Sequence, residues 1–494
     1  MSKFTIPEKA LPPLSSRPWV PHKYQMRAVR WLLEHDAAAL FLDPGLGKTS
    51  ITYAALVALK EAGLLRGAVV VAPRRPAVSV WPGEHEKWSE FSDLKVVLLH
   101  GDSKAKDVQQ KADVYIVTYE GFQWLSSSGE LQKLFKKRWL DTLIFDELSK
   151  LKHPSTSRFK RLKPWLGKFT RRWGLTGSPA PNGLQDLFGQ AYVLDMGAAL
   201  GAYVTHFRAA YFTPQGKYPG DPYPVWVPKP DAEESIYARM ANLALRIDAE
   251  DHLELPQLIL NPIKCELPPA LRKQYKQMEE EMFADLEGQV VTAATAATVS
   301  MKCRQLTSGA IYEDVIDPNT GEPRAGKRKW LAVHDLKLEL LTDLLEELQG
   351  QQLLIAYEYQ HEAERIAKAL NPKRPQDVPI IGGGVSDKRA LEYERAWNAG
   401  ELPYLLGHPQ SMGHGLNLQG SSAHNVCWFS GTWDYELYDQ LIRRLKRQGS
   451  AAKHVFVHHL IARDTVDEAV LAAMQRKRKG QNALLDALKA YKVR

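Results

Sequence analysis

The sequence predicts an α/β protein with two parallel-sheet lobes and a helical insert between them. Short apolar runs alternate with helix-like segments in residues 21–195 and again in residues 331–470. Strands of a parallel sheet that is covered on both faces have this near-continuous apolar character. Residues 196–330 break the alternation, and the chain of 494 residues is too long for one ordinary core.

The first lobe follows a polar lead-in at residues 1–20. An amphipathic helix beginning near Tyr24 precedes strands that we predict at 37–42, 67–72, 95–99, 114–118, 143–145 and 173–175. In a sheet of this kind, ligands bind at the carboxyl ends of the strands. Polar residues that directly follow these strands are therefore the candidate site residues.

A glycine-rich turn follows the first predicted strand. Its residues are Asp43, Pro44, Gly45, Leu46, Gly47, Lys48 and Thr49, and a helix-like run at 50–62 comes next. Backbone N–H groups of such a turn cradle phosphates, while the lysine reaches the outer phosphates and the threonine hydroxyl can bind magnesium. Leu42 stands where the full phosphate-loop pattern has a glycine, so an ordinary strand-to-helix turn remains the alternative. Upstream of the loop, Gln25 has an amide that could hydrogen-bond adenine.

Two further motifs follow predicted strands of the first lobe. Asp146 and Glu147 follow the strand at 143–145, which suits Asp146 to magnesium binding and Glu147 to activation of the attacking water. Alone, such a pair is usually a strand-ending turn, but the lysine loop upstream favours a catalytic role. The turn Thr176-Gly177-Ser178 could move with a bound phosphate, and a plain turn is again the alternative.

The rest of the chain is predicted to form the insert and the second lobe. The insert contains helical stretches at about 231–248, 269–287 and 293–306, and the second lobe contains strands at 353–357, 378–381, 404–406, 426–429 and 454–457. The second lobe has a glycine loop that includes Gly415, but no phosphate loop. Arg444 and Arg447 are three apart on a predicted helix, where two guanidinium groups on one face suit phosphate binding. A basic, solvent-facing helix is the alternative.

Composition limits the classes of partner. Lysine and arginine (65) exceed aspartate and glutamate (57), which gives a net charge of +8 and fits a polyanionic partner. Residues 150–172 carry nine basic and no acidic side chains, and the predicted basic helix at 471–494 carries seven basic side chains and one acidic one. Three dispersed cysteines indicate neither a disulfide framework nor a zinc site, and a reducing cytoplasm is expected. No apolar run has the length of a signal peptide or a membrane span, so no membrane partner is expected.

Taken together, the motif order resembles that of the superfamily 2 nucleic-acid-dependent ATPases, and within them the Swi/Snf-type translocases. The resemblance extends over about residues 20–470, nearly the whole chain. The motifs that carry it are Tyr24-Gln25, Gly45-Leu46-Gly47-Lys48-Thr49, Val117-Thr118-Tyr119-Glu120, Asp146-Glu147, Leu175-Thr176-Gly177-Ser178-Pro179, Arg304-Gln305-Leu306 through Gly309, Gly413 to Leu418, Trp433 and Gln440 through Arg447. The chain departs from the family at Leu42-Asp43-Pro44, where an acidic-acidic-methionine sequence is usual.

The resemblance implies two RecA-like lobes that use ATP and Mg²⁺. Gln25 would lie near adenine, residues 43–49 would bind phosphates, Thr49 and Asp146 would bind magnesium, and Glu147 would be the base. Arg444 and Arg447 would close on the γ-phosphate from the second lobe, and Thr176, Gly177, Ser178 and Gly415 would couple hydrolysis to movement. Nucleic-acid contacts are expected at Arg74, Thr118, Tyr119, Lys150, Lys152 and Trp433.

These observations favour an ATP-dependent translocase or helicase that acts on DNA. Duplex DNA is the expected substrate, and single-stranded DNA is the second candidate. An RNA helicase and a non-catalytic nucleic-acid clamp with a degenerate motor fold remain alternatives. Because the 15 histidines are scattered, a separate nuclease centre is not indicated. The compact single-motor organisation is similar to that of bacterial or phage relatives. If the protein is viral, it is expected in the host cytoplasm. Whether it has partners in replication, recombination or repair stays open.

Overall fold

The computed structural model describes residues 17–215, 225–248, 256–287, 293–313, 329–382, 384–412, 416–446 and 452–478. The chain divides into two compact units. The described part of the first unit comprises residues 17–210 and 230–248, and that of the second comprises 211–215, 225–229 and 256–478. The predicted α/β class with two parallel-sheet lobes is confirmed.

Helices and strands alternate through most of both units. The helices are α1 (Lys23–Glu34), α2 (Lys48–Glu61), α3 (Trp81–Lys87), α4 (Lys104–Asp107), α5 (Tyr119–Ser127), α6 (Glu130–Lys136), α7 (Ser157–Leu166), α8 (Asp186–Asp195), α9 (Val204–Tyr211), α10 (Ala232–Met240), α11 (Pro269–Glu287), α12 (Ala293–Ser308), α13 (Leu336–Glu347), α14 (Gln360–Leu370), α15 (Asp387–Asn398), α16 (Pro409–Met412) and α17 (Tyr435–Ile442). The strands are β1 (Ala37–Leu42), β2 (Ala68–Ala72), β3 (Val96–Leu98), β4 (Val114–Thr118), β5 (Thr142–Asp146), β6 (Arg171–Thr176), β7 (Phe212–Gln215), β8 (Val225–Pro228), β9 (Ala244–Ile247), β10 (Gln257–Cys265), β11 (Ala310–Tyr312), β12 (Trp330–Ala332), β13 (Leu353–Ala356), β14 (Ile380–Ile381), β15 (Tyr404–Gly407), β16 (Asn425–Trp428) and β17 (His454–Ala462).

The first unit is built on a parallel sheet with the strand order β3-β4-β2-β5-β6-β1-β9 among the described residues. Its central strands are buried along their whole length, as their apolar sequences predict. Strands β5, β6 and β1 are neighbours, so the three motifs that follow them meet at one edge of the sheet. This arrangement brings together residues that are up to about 130 positions apart in the chain.

The segment expected to be a helical insert also supplies strands. The helix predicted at 231–248 ends at Met240, and residues 244–247 instead form β9, which pairs in parallel with β1. Leu245 and Ile247 are buried there, and the buried Arg246 has ion-pair partners, which explains why a strand with a charge in it is stable. Further along the chain, β10 pairs with β17 in the second unit. The segment therefore adds an edge strand to each sheet.

The second unit contains a parallel sheet with the order β10-β17-β16-β13-β15-β14 among the described residues. Separate apolar clusters cover its two faces, one containing Trp397 and Trp428 and the other containing Ile355 and Ile366. Two short antiparallel pairs, β7 with β8 and β11 with β12, also belong to this unit. In the part of the chain that the structure describes, no helix is both long and apolar enough to cross a membrane.

Candidate active site

The phosphate loop joins β1 to α2, and its glycines are required by geometry. Gly45 and Gly47 have φ angles of 92° and 79°, a region that favours glycine. A Cβ atom at Gly47 would also lie 2.5 Å from Nε2 of Gln25. Helix α2 begins at Lys48, so the N-terminus of the helix faces the turn. The predicted strand, glycine turn and helix are therefore all present.

Lys48 lies across this turn. Its Nζ donates hydrogen bonds to the carbonyl oxygens of Leu42 (2.8 Å) and Asp43 (3.4 Å). The neighbouring Thr49 is half-buried, and its hydroxyl has no hydrogen-bond partner among the described residues. A lysine held over the turn and an available hydroxyl are what a magnesium–nucleotide site needs at these two positions.

The side chain of Gln25 hydrogen-bonds the phosphate loop. Its side-chain oxygen accepts a hydrogen bond from the backbone N–H of His22 (2.9 Å), and its Nε2 donates to the carbonyl of Leu46 (3.2 Å). The residue is buried, with an exposed fraction of 7%. Contact between Gln25 and adenine remains a prediction, and the observed contacts add a second role in shaping the loop.

A buried ion-pair cluster braces the start of the loop. Arg246, on β9, donates to the carbonyl of Phe41 and to Oδ1 of Asp43, both at 3.0 Å, and also pairs with Asp248. The side chains of Arg246 and Asp43 are only 3% and 6% exposed. Asp43, the one acidic residue of Leu42-Asp43-Pro44, thus makes an internal contact, because its carboxylate fixes the loop to the edge strand.

Asp146 ends β5 and is held by an indole group. The Nε1–H of Trp81 donates to its Oδ2 over 2.9 Å. Burial raises the pKa of Asp146 to about 6, an effect that the Glu147 charge increases and that the Trp81 hydrogen bond and the Lys48 charge oppose.

Glu147 adopts a backbone conformation that is unusual for a non-glycine residue, with φ of 58° and ψ of 62°. The hydroxyl groups of Thr176 and Ser149 both donate to its Oε1, over 2.9 and 3.0 Å. Tyr119 donates its hydroxyl proton to the backbone carbonyls of Asp146 (2.9 Å) and Glu147 (3.2 Å). These contacts hold the glutamate carboxylate in one orientation.

The Thr176-Gly177-Ser178 turn contacts both halves of the site. Besides donating to Glu147, the Thr176 hydroxyl accepts a hydrogen bond from the Ser178 N–H over 3.1 Å. A Cβ atom at Gly177 would lie 3.0 Å from Cδ of Pro44 in the phosphate loop. The turn is therefore packed between the glutamate and the loop, which is the arrangement that a coupling element requires.

The donor set fits a magnesium ion. Mg²⁺ prefers hard oxygen ligands, and the site offers the Thr49 hydroxyl and the Asp146 carboxylate, each from a different strand end. Elsewhere, among the described residues, no group of three or more histidine, cysteine, aspartate or glutamate side chains could hold a metal ion. The residues present thus favour magnesium bound together with a nucleotide.

The predicted nucleic-acid contacts in the first unit have different environments. Arg74 is exposed and Lys150 is half-buried, whereas Lys152 lies 3.7 Å from Asp186 in a largely buried ion pair. Thr118 accepts the Gly121 N–H as a helix cap.

Tyr119, also expected to contact nucleic acid, is 4% exposed with its hydroxyl directed inward. Its side chain and that of Thr118 are engaged inside the unit because each satisfies backbone groups beside the site.

In the second unit, Arg444 is buried and donates to the carbonyl of Leu416 over 2.9 Å, so it contacts the end of the glycine loop. Trp433 is 37% exposed, and its indole N–H donates to the Ser300 hydroxyl. Gly415 and Arg447, which were predicted as coupling and catalytic residues, lie outside the described residues.

Sequence reasoning missed three residues at this site, namely Trp81, Glu84 and Arg246. Glu84 accepts a hydrogen bond from the Ser50 hydroxyl (2.6 Å) in the first turn of α2. A buried tryptophan usually finds a partner for its N–H, and a charged residue between two apolar ones on a strand indicates a buried pair. These signals suggest that each residue has a partner but do not identify it.

Comparisons with known proteins identify the family. Residues 24–308, more than half of the chain, match the SNF2-related domain. Protein p41 of Acyrthosiphon pisum secondary endosymbiont phage 1 is 34% identical over 485 residues, covering 95% of this chain and 99% of the phage protein.

More distant relatives are larger. The CHD3-type chromatin-remodeling factor CHR7 of Arabidopsis thaliana is 25% identical over 92% of this chain, and the transcription regulatory protein SNF2 of Saccharomyces cerevisiae is 23% identical over 92%. This chain spans 37% and 27% of their lengths. The solved SWI2/SNF2 ATPase core of Sulfolobus solfataricus in complex with dsDNA is 21% identical, with a TM-score of 0.42 over 96% of this chain and 95% of that chain. On the domain match and the phage relative, the protein belongs to the SNF2-related family.

Proposed function

We propose that this protein is an ATPase that is stimulated by DNA and moves along duplex DNA. The observation that carries the proposal is the convergence of three motifs at one sheet edge. There, the Thr176 turn hydrogen-bonds Glu147 of the Asp146–Glu147 pair and packs on Pro44 of the Lys48 loop. Groups of these types bind nucleotide phosphates and orient the attacking water in nucleotide hydrolases, which supports the proposal.

Each residue has a distinct task in this proposal. Lys48 would bind the outer phosphates, and Thr49 and Asp146 would hold Mg²⁺, which would neutralise phosphate charge. Glu147 orients the attacking water and accepts its proton as the bond between the terminal phosphorus and the bridging oxygen breaks. The hydroxyls on Oε1 of Glu147 keep the carboxylate aligned for this transfer. Arg444 and Arg447 are proposed to stabilise charge on the transferred phosphate.

The Thr176 turn supplies a route from hydrolysis to movement. It packs on Pro44 of the phosphate loop and hydrogen-bonds Glu147, so a change in phosphate occupancy would act on it from both sides. Relatives named as chromatin-remodeling factors favour DNA over RNA as the partner. The exposed basic residues between 150 and 172 supply charge for phosphate contacts, namely Lys160, Arg161, Lys163 and Lys168.

The test is steady-state ATPase activity of the wild type and Lys48→Ala with no nucleic acid, single-stranded DNA, duplex DNA and duplex RNA. Stimulation that is strongest with duplex DNA, requires Lys48 and weakens as salt rises is the expected result. Strongest stimulation by duplex RNA would support an RNA helicase instead. Hydrolysis no faster than that of Lys48→Ala under every condition would contradict the ATPase proposal and favour a non-catalytic clamp.

Translocation requires its own measurement. Displacement of the third strand of a DNA triplex does not require separation of the duplex strands, so it reports movement along the duplex. We expect ATP-dependent displacement by the wild type and none by Lys48→Ala. Duplex-stimulated hydrolysis without displacement would retain the ATPase and exclude movement on duplex DNA.

A further inference from the structure

One buried side chain outside the predicted motifs contacts the carboxylate proposed to hold magnesium. Trp81 is fully buried, and its indole N–H donates to Oδ2 of Asp146 over 2.9 Å. An indole N–H can only donate, so this contact fixes one carboxylate oxygen and restricts rotation of the group. The hydroxyl of Tyr53 also donates to the backbone carbonyl of Trp81 over 3.0 Å, which fixes the tryptophan to helix α2.

A continuous helical segment links Trp81 to the exposed Arg74. After β2 ends at Ala72, residues 76–80 form a π-helical turn in which the Trp81 N–H bonds to the Pro76 carbonyl. The Ala77 N–H donates to the carbonyl of Pro73 over 2.9 Å. π-Helical turns are rare and occur mostly at functional sites. The backbone from Arg74 to Trp81 is thus held by hydrogen bonds.

Helix α3 also contacts the phosphate-loop helix. Oε2 of Glu84 accepts hydrogen bonds from the Ser50 hydroxyl (2.6 Å) and from the indole N–H of Trp88 (2.9 Å). Ser50 directly follows Thr49, the second proposed magnesium ligand. The same short helix is therefore hydrogen-bonded beside both proposed ligands, through Trp81 to Asp146 and through Glu84 to Ser50.

We propose that Trp81 is a positioning residue that aligns Asp146 for magnesium, and that α3 links this alignment to nucleic-acid binding at Arg74. The inference rests on the proposed function and deepens it, since it assigns a route by which DNA acts on the ATP site. The route lies within the first unit, through the π-helical turn and α3.

The test compares Trp81→Phe with Trp173→Phe in the full-length chain. Trp173 is also fully buried in the first unit, and its indole N–H donates to the carbonyl of His35, away from the proposed ligands. Calorimetric titration with ADP, with and without Mg²⁺, measures how much the metal strengthens nucleotide binding. A charge-assisted hydrogen bond contributes enough to change affinity about 10-fold. In Trp81→Phe, the strengthening of ADP binding by Mg²⁺ should be about 10-fold smaller than in the wild type. The Kd for ADP without Mg²⁺ should stay within about twofold of the wild-type value.

Trp173→Phe should retain the magnesium effect of the wild type. If both variants retain it, the positioning role of Trp81 is wrong. DNA-stimulated ATPase activity is the second readout, and Trp81→Phe should lose most of the stimulation. Full stimulation in this variant would exclude the link to DNA binding. Wild-type protein without DNA-stimulated hydrolysis would instead contradict the proposed function itself, so the two failures are distinguishable.

Ser50→Ala tests the link even if Trp81→Phe does not fold. It removes the hydrogen bond from α2 to Glu84 and leaves the contact between Trp81 and Asp146 in place. We expect lower stimulation by duplex DNA with an unchanged magnesium effect on ADP binding. Wild-type stimulation in Ser50→Ala would overturn the role of α3 as the link.

Discussion

Replacing Arg246 with methionine should destabilise the first unit and weaken nucleotide binding. Arg246 bonds to the Phe41 carbonyl and Asp43 at 3.0 Å and pairs with Asp248, so methionine leaves two carboxylates without this cation. Removing one partner of a buried pair costs about 3–5 kcal/mol. In a unit of about 150–250 residues, each kcal/mol lowers Tm by about 2–4 °C, so we expect a fall of about 10 °C. The Kd for ADP should rise because Asp43 belongs to the phosphate loop.

Arg171→Met is the matched control for this experiment. Arg171 is also a strand arginine with two carboxylate neighbours, but they lie at 3.6 Å (Asp141) and 3.9 Å (Asp36), and Asp36 is largely exposed. Both carboxylate contacts are longer than a hydrogen bond, so losing them should cost less than losing the 3.0 Å contacts of Arg246, and Tm should fall by less than in Arg246→Met. Thermal unfolding followed by circular dichroism gives Tm, and calorimetric titration gives the Kd for ADP.

Two results would refute the reasoning. Equal Tm values for Arg246→Met and Arg171→Met would show that the buried cluster contributes no more than the longer contacts of Arg171. An unchanged Kd for ADP in a clearly destabilised Arg246→Met would show that the cluster stabilises the sheet edge without shaping the loop. Adding Asp43→Asn to Arg246→Met should recover part of the lost stability, because it removes one buried charge.

Three other substitutions test separate contacts. Thr176→Val removes a charge-assisted hydrogen bond to Glu147 and should lower kcat about 10-fold with KM for ATP nearly unchanged; an unchanged kcat would exclude the coupling contact. Gly177→Ala places a Cβ 3.0 Å from Pro44 of the phosphate loop and should raise KM for ATP about 10-fold. Gly167→Ala, where the nearest atom to the new Cβ is 3.7 Å away, should leave KM unchanged. Equal KM values for the two variants would contradict this reasoning. Burial lowers the pKa of His459 to about 4. As pH falls, the unfolded state therefore binds a proton before the folded state does. The free energy of unfolding should decline by about 3 kcal/mol between about pH 6.5 and pH 4. His459→Gln should flatten this decline in chemical denaturation, and an identical slope would show that other groups cause it.

The local parts of the site could be predicted from sequence because each is a short segment at a strand end. The turn at Gly47 and the carboxylates at Asp146 and Glu147 follow apolar strands, and a parallel sheet places such segments along one edge. The order of the strands then decides which segments meet. The neighbours β5, β6 and β1 are far apart in the chain, so their adjacency follows from the fold and not from local pattern.

The supporting contacts could not be predicted, because they join distant residues through single atoms. Trp81 and Asp146 are 65 positions apart, and Arg246 and Asp43 are 203 apart. The strand β9 was missed for a related reason. Residues 244–247 have no strong preference of their own, and pairing with β1 determines their conformation.

The π-helical turn at Pro76–Val80 determines which insertions and deletions of residues this segment can accept. A π-turn holds one residue more than an α-helical turn between the same ends, and each residue of an α-helix rotates the chain by about 100°. Deleting one residue here would therefore leave a regular α-helical turn between the same ends, with Trp81 still beside Asp146. A single deletion in this segment should therefore be tolerated, whereas an insertion should rotate Trp81 away from Asp146, and substitutions at half-exposed Val78 should be accepted.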